Sequence, residues 1–300
     1  MGSLFTYDNF VHALAGSVAS GTSMTVFYPL DQVRSRLQIE DKRKAKSTLA
    51  TMKDLVEEEG VSSLYRGLEP VLYSLFASGF VYFYSFHGLR RIAGEKTAIK
   101  DLGIGAVAGA INVLTTTPLW VVNTRIKMQG AKMLLGNSSQ ETCDGERDAD
   151  VRYKSLTHGL FKILKEEGPK ALWSGTVPSL VLVSNPAIQF MIFEMLKRNL
   201  KQILERGELS PYHIFILGAI SKSVSTIISY PLQVVQTKKR YGSAEFKDKS
   251  MTEILGDLVK TGTLYKGMEA KLLQTVMTTA LMFVFYERIY SFVTKLSKSV

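Results

Sequence analysis

Charged side chains are absent from long stretches of this 300-residue chain. Residues 10–30, 70–89, 102–124, 176–193 and 272–286 contain no Lys, Arg, Asp or Glu, and residues 210–237 contain only Lys222. A bilayer core of about 30 Å needs roughly 17–25 helical residues. Five of the stretches reach or approach that length, and 272–286 is marginal. Shorter segments between them carry apolar residues at helical spacing: Leu49, Met52, Leu55 and Val56; Leu156, Leu160, Ile163 and Leu164; Met251, Ile254, Leu255, Leu258 and Val259. They predict short surface helices of structural role. The order long, short, long occurs three times, so the pattern predicts an all-α membrane protein of six transmembrane helices in three units, each with a short surface helix.

The same words recur at the same places. Pro29-Leu30-Asp31-Gln32-Val33-Arg34-Ser35-Arg36 closes the first apolar run, Pro118-Leu119-Trp120-Val121-Val122-Asn123-Thr124-Arg125 the third, and Pro231-Leu232-Gln233-Val234-Val235-Gln236-Thr237-Lys238 the fifth. Each is followed by a paired-glycine element: Gly60 with Tyr65-Arg66-Gly67, Gly168 with Trp173-Ser174-Gly175, and Gly262 with Tyr265-Lys266-Gly267. Such self-similarity marks a repeat architecture, with units at 8–95, 98–203 and 208–296. Pro29 to Gly60 and Pro231 to Gly262 are each 31 positions, whereas Pro118 to Gly168 is 50. The extra length falls at 131–152, whose Ser, Asp and Glu content predicts a disordered insertion. Pro29, Pro118 and Pro231 each lack the N–H that a helix interior needs, so three kinks are expected.

Composition sharpens this picture. Hydrophobic residues make up 46% of the chain, yet mean hydropathy is only +0.07, because the apolar runs are rich in Gly, Ala, Ser and Thr. Helices of that kind pack on each other around a polar cavity. The net charge of +10 lies beside the apolar runs, where headgroups and anionic solutes are met, so nucleic acid is not expected as a partner. The single cysteine, Cys143, excludes a disulfide framework, and four scattered histidines form no metal site. The first ten residues lack Lys and Arg, so any targeting signal is expected to be internal. Without a phosphate loop or catalytic constellation, neither an enzyme nor a cofactor is expected.

Lys222 is the most informative residue. It lies nine positions before Pro231, about 13 Å along a helix. A lysine at that depth costs about 2.5–3.5 kcal/mol or more unless it faces water or a partner. An anionic solute would supply the partner; a structural pair or snorkelling is the alternative. Lys271 lies nearer a membrane face, where snorkelling competes with solute binding. Asn185, Gln189 and Gln274 are neutral polar groups that would line the cavity or pack between helices. The aromatic run from Phe80 to Phe86 could stack a nucleobase, or could form an interfacial belt.

The tripled proline element, followed by the glycine–aromatic–glycine element, resembles the mitochondrial carrier family over about residues 8–295. That resemblance implies a threefold pseudosymmetric bundle around a central solute site, working by alternating access. It further implies an inner gate at the proline end, made by Asp31 with Asn123, Arg34 with Gln233 and Trp120 with Gln236; a local pair of Asp31 with Arg34 is the alternative. Charges that most carriers keep are replaced there, so this gate is expected to hold mainly by hydrogen bonds. An outer gate would join Arg90 with Glu194 and Lys197 with Glu287, leaving His87 beside Tyr290.

Within the family, four segments resemble the peroxisomal branch: Phe27 to Asp31, Thr117 to Arg125, Asn185 to Phe190 and Glu269 to Thr275. This implies an antiporter of CoA, FAD, NAD and the adenine nucleotides AMP, ADP and ATP. It also implies a multi-pass place in the peroxisomal membrane, in contact with lipid and with peroxisomal membrane-insertion factors. A mitochondrial inner-membrane carrier of another anionic solute and a non-transporting membrane scaffold are the alternatives.

Overall fold

The computed structural model describes residues 18–40, 47–93, 97–129, 153–204, 209–242 and 244–298. The expected insertion at 131–152 lies outside them. Among the described residues the chain is helical, with no strand. Its first odd helix is split: α1 covers residues 18–26 and α2 spans Tyr28–Ile39, with a turn at Phe27 directly before Pro29. The surface helix α3 (Thr48–Glu59) and a 3₁₀ turn (Val61–Tyr65) lead into α4 (Leu68–Ala93). The second unit has α5 (Ala98–Lys127), surface helix α6 (Leu156–Glu166), a short α7 (Pro169–Leu172), α8 (Thr176–Leu182) and α9 (Asn185–Leu204). The third has α10 (Pro211–Tyr241), α11 (Ala244–Lys247), surface helix α12 (Met251–Lys260) and α13 (Met268–Lys298).

Two expectations about continuity change. Of the three repeat prolines, Pro29 sits at a helix break, while Pro118 and Pro231 lie inside uninterrupted helices. The run 176–193 is not one helix, because the chain turns at Val183–Ser184 ahead of Pro186. Pro186 has no N–H to offer the Leu182 carbonyl, and the Ser184 hydroxyl caps the break by donating to the Val181 carbonyl at 2.7 Å.

Long outward faces of the bundle are apolar: Phe76, Leu114, Met191 and Ile228 are all exposed. Three segments, Lys100–Lys127, Pro169–Ile203 and Tyr212–Tyr241, are by length and composition able to cross a membrane on their own. The core lies instead at the proline end, as three small clusters. Val33, Leu37 and Leu55 form one; Val121, Val122 and Ile163 another; Val234, Val235 and Ile254 the third. Each surface helix thus plugs its own unit. Each also begins on a serine whose side chain accepts a backbone N–H: Ser47 from Ala50, Ser155 from His158 and Ser250 from Glu253. The buried stripe is narrower than the periodicity suggested, for Leu49, Leu164 and Val259 are exposed.

Of the seven described glycines with φ between 67° and 83°, six punctuate the three units in pairs: Gly60 and Gly67, Gly168 and Gly175, Gly262 and Gly267. The second of each pair abuts the odd helix of the next unit. A Cβ on Gly67 would meet the Lys127 backbone at 3.4 Å, one on Gly175 the Gln236 carbonyl at 3.2 Å, and one on Gly267 the Arg34 carbonyl at 3.2 Å. Unit one touches two, two touches three, and three returns to one, which closes the bundle at this end.

Candidate solute site and gates

The proline elements hold this closed end together. In units one and three a tyrosine precedes the proline. The Tyr28 hydroxyl donates to the Arg66 carbonyl at 2.9 Å and Tyr230 to Lys266 at 2.8 Å, each ring stacking on the tyrosine of the glycine element. Unit two has Thr117 instead. There the Trp173 indole N–H donates, at 2.9 Å, to the Leu114 carbonyl, the acceptor that Pro118 cannot engage. Seven positions beyond each proline sits a buried cation. Arg36 bridges Glu59 at 3.0 Å and Glu40 at 3.2 Å, Arg125 forks onto both oxygens of Glu167, and Lys238 lies 4.4 Å over the Phe246 ring.

The inner-gate residues converge here, but with partners other than those expected. Asp31 pairs with Arg34 in its own helix at 3.1 Å and, across the interface, with Lys127. Asn123 donates to Ser74 Oγ at 2.6 Å, Gln233 to Ser229 Oγ at 3.0 Å within α10, and Gln236 to Ser179 Oγ at 2.7 Å. Trp120 lies under the Arg240 guanidinium, 5.8 Å from its ring centre. The cross-pairs Asp31–Asn123, Arg34–Gln233 and Trp120–Gln236 are absent from this structure. The reason is reach. Lys127, nine residues past Pro118, carries a full charge to Asp31 that the shorter, neutral Asn123 cannot supply. Its position lies two beyond the recurring word, which is why the motif did not single it out.

At the opposite end the partners also differ from those expected. Arg90 pairs with Asp101 at 3.2 Å instead of with Glu194, and Lys197 turns to Glu194 in its own helix at 3.5 Å. His87 is exposed and packs against Phe83 and Phe86. Glu287 and Tyr290 fall in α13, where their side chains lie outside the described residues.

Above the closed floor, cations outnumber anions. Three basic side chains, Arg34, Lys127 and Lys271, act on the Asp31 carboxylate, and Lys222 lies within electrostatic range of Lys271. The ammonium groups of Lys222 and Lys271 form no ion pair or hydrogen bond among the described residues. The neutral candidates divide. Asn185 accepts from Ser225 Oγ and Gln274 lies buried, its amide toward Met24 Sδ at 3.8 Å, so both pack between helices. Gln189 is half-buried and makes no hydrogen bond among the described residues. The aromatic run also divides: Phe80, Phe83 and Tyr84 are exposed, whereas Tyr82 and Phe86 stack with centroids 6.1 Å apart and line a cavity.

A helical bundle with apolar outer faces, closed at its proline end and carrying over that floor two lysines with no ion pair among the described residues, has the architecture of a membrane carrier. The "Mitochondrial carrier protein" family model matches residues 6–97, 94–204 and 207–297, and the chain belongs to that family. It is 46% identical to the peroxisomal membrane protein PMP34 of Mus musculus, over 96% of this chain and 95% of that one. It is 31% identical to the peroxisomal nicotinamide adenine dinucleotide carrier of Arabidopsis thaliana, covering 94% and 95% of the two chains. It is likewise 31% identical to peroxisomal adenine nucleotide carrier 1 of the same plant, covering 92% and 88%.

Proposed function

We propose that this protein is a multi-pass carrier of the peroxisomal membrane that exchanges anionic nucleotide-type cofactors by alternating access. CoA, FAD, NAD and adenine nucleotides form the solute panel, and Lys222 and Lys271 form the anion site. The observation that carries this reading is the excess of positive charge over the closed floor: Arg34, Lys127 and Lys271 act on the one carboxylate of Asp31, Lys222 lies near Lys271, and neither Lys222 nor Lys271 forms an ion pair or hydrogen bond among the described residues. Like charges held together in a bundle repel, and a solute with several phosphate charges relieves that repulsion. The relatives' names favour nucleotides and the peroxisome over other anions and other membranes.

In this structure the proline end is shut, so a solute enters from the opposite mouth. Binding of phosphates to Lys222 and Lys271 would draw charge away from Asp31 and its partners. The closed end then opens only if the solute interacts more strongly with the open arrangement, since a ligand shifts conformers by its differential affinity alone.

Preloaded liposomes test the reading directly. Exchange of NAD, CoA, FAD or AMP, ADP and ATP is expected, and uptake of a small dicarboxylate or amino acid in their place would refute it. Lys222→Met keeps the volume, removes the charge and should slow exchange roughly tenfold or more with membrane insertion intact. Unchanged uptake would remove Lys222 from the site. A tagged copy resident in mitochondria would displace the peroxisomal assignment.

A further inference from the structure

The second sector of the proline ring leaves a cation uncompensated. Asp31, two residues past its proline, meets Lys127, nine residues past the next. In the following sector the same two positions hold Trp120 and Arg240. A π face attracts a guanidinium without neutralising it. Arg240 also donates from Nη2 to Ser179 Oγ at 3.2 Å, its Nε has no hydrogen-bond partner, and no carboxylate pairs with it among the described residues. Arg34, another cation, is within electrostatic range.

Arg240 stands at one end of a cavity of about 750 Å³ between α4, α5, the α8–α9 break and the end of α10. The cavity follows α5 from the end opposite the proline ring, where Tyr82 and Phe86 line it beside Gly105 and the Arg90-paired Asp101, to Trp120 and Gln236 at the closed end. Gly105 to Trp120 is 15 residues, about 22 Å of helix. A cation lies at one end of this slot and a pair of stacked rings at the other, with small side chains along the wall between them.

We propose that this cavity is a lengthwise binding slot for a dinucleotide-type solute, whose phosphate meets Arg240 while an aromatic ring of the same molecule lies against Tyr82 and Phe86. The proposal rests on the carrier reading and adds to it a site away from Lys222 and Lys271 and a preference for length. A phosphate offers the guanidinium a charged, two-pronged acceptor in place of the single neutral hydroxyl of Ser179. Trp120 holds the guanidinium plane ready, so little side-chain freedom is lost on binding. Arg34 lies within range of both Arg240 and Lys271, so a diphosphate held at Arg240 joins the cation cluster on the floor. A mononucleotide satisfies one end of the slot; a molecule of the length of NAD or FAD satisfies both.

The test is ligand-induced thermal stabilisation of the purified full chain in detergent, titrated with NAD and with AMP. The wild type should bind NAD more tightly than AMP. Arg240→Gln should weaken both roughly ten- to hundredfold, the loss of a charge-assisted contact. Tyr82→Leu combined with Phe86→Leu should weaken NAD about tenfold, as expected for a lost stacking platform, and AMP less than twofold. NAD affinity that ignores Arg240→Gln, or an aromatic pair variant that affects AMP and NAD alike, overturns the slot. So does phosphatidate stabilising the protein through Arg240 when NAD does not, since a lipid headgroup would then be its ligand. If Arg240→Gln fails to fold, the aromatic pair decides. Binding is read without transport, so the two readings fail separately. Arg240-dependent NAD binding without exchange in vesicles refutes the carrier and keeps the slot. Exchange indifferent to Arg240 and to the aromatic pair does the reverse.

Discussion

Lys127 supplies the one ion pair that crosses from α5 to α2 at Asp31, and its removal should be felt on the closed side alone. Taking one partner from a buried pair costs about 3–5 kcal/mol when the other is left alone. Asp31 keeps Arg34, so Lys127→Met should cost less, about 1–3 kcal/mol in the closed state. The expected result is a lower unfolding temperature in detergent. A cysteine placed at Gln233, in a chain with Cys143→Ser, should also be labelled faster from the proline side. Equal melting and labelling would show that Asp31 and Lys127 do not meet. A second residue-scale expectation concerns Trp173. Trp173→Phe keeps the ring and removes the donor to the Leu114 carbonyl. Stability should fall by about 0.5–1.5 kcal/mol, the net worth of one hydrogen bond at an exposed position. An unchanged melting curve would mean that another group satisfies that carbonyl.

Among the elements, the surface helices divide into a buried and an exposed side more sharply than their sequences suggest. Leu55→Ala, Ile163→Ala and Ile254→Ala each remove a fully buried side chain, at a cost of about 2–5 kcal/mol. Leu49→Ala and Val259→Ala should change stability by about 0.5 kcal/mol or less. Thermal unfolding of the five variants checks the division. Helix α12 adds a pH dependence. The Ser250 backbone N–H holds the exposed Glu253 carboxyl below its ordinary value. A carboxyl depressed by folding contributes stability that is whole above the ordinary Glu value, near 4.3, and is lost as pH falls through the folded value. Glu253→Gln should flatten that acid limb, and hydrogen exchange of the α12 amides reports it. The elements themselves were legible in the sequence, because runs without charge and stripes of leucine are one-dimensional signals. The gate partners were not. The recurring word ends at Arg36, Arg125 and Lys238, while the cations that meet the acid position of the neighbouring unit, Lys127 at Asp31 and Arg240 at Trp120, come two positions later. The break before Asn185 was signalled by Pro186 but hidden by the apolar run around it. The three serine caps could have been read from Ser47, Ser155 and Ser250.

Across the whole molecule, three glycine contacts close the bundle in a circle, so local strain at one becomes strain between units. At Gly67, Gly175 and Gly267 any side chain must adopt a left-handed backbone, at a cost of about 1–2 kcal/mol. A Cβ at Gly67 would sit at ordinary distance from Lys127, whereas at Gly175 and Gly267 it would press on carbonyl oxygens 3.2 Å away. Gly175→Ala and Gly267→Ala should therefore lower the melting temperature more than Gly67→Ala. Should all three fall equally, backbone strain rather than contact between units sets the cost.

The Trp173 indole that serves the Leu114 carbonyl has a bearing on how a tripled protein changes over time. Three copies of one unit can drift only as far as each keeps its neighbour's unmet groups satisfied. Units one and three share one arrangement, a tyrosine before the proline that donates to the carbonyl ahead of the second glycine, and unit two has another, an indole that serves the carbonyl freed by its proline. The two are not interchangeable a letter at a time. Thr117→Tyr alone places a second large ring beside Trp173, and Trp173→Tyr alone strands the carbonyl. The double replacement relieves the crowding and rebuilds the ring stack of the sister units while the Leu114 carbonyl stays without its indole, so the two changes should be non-additive, with the pair milder than the sum of the singles. A lineage passing between the two solutions must cross a poorer intermediate, which makes position 117 and position 173 a linked character inherited as one.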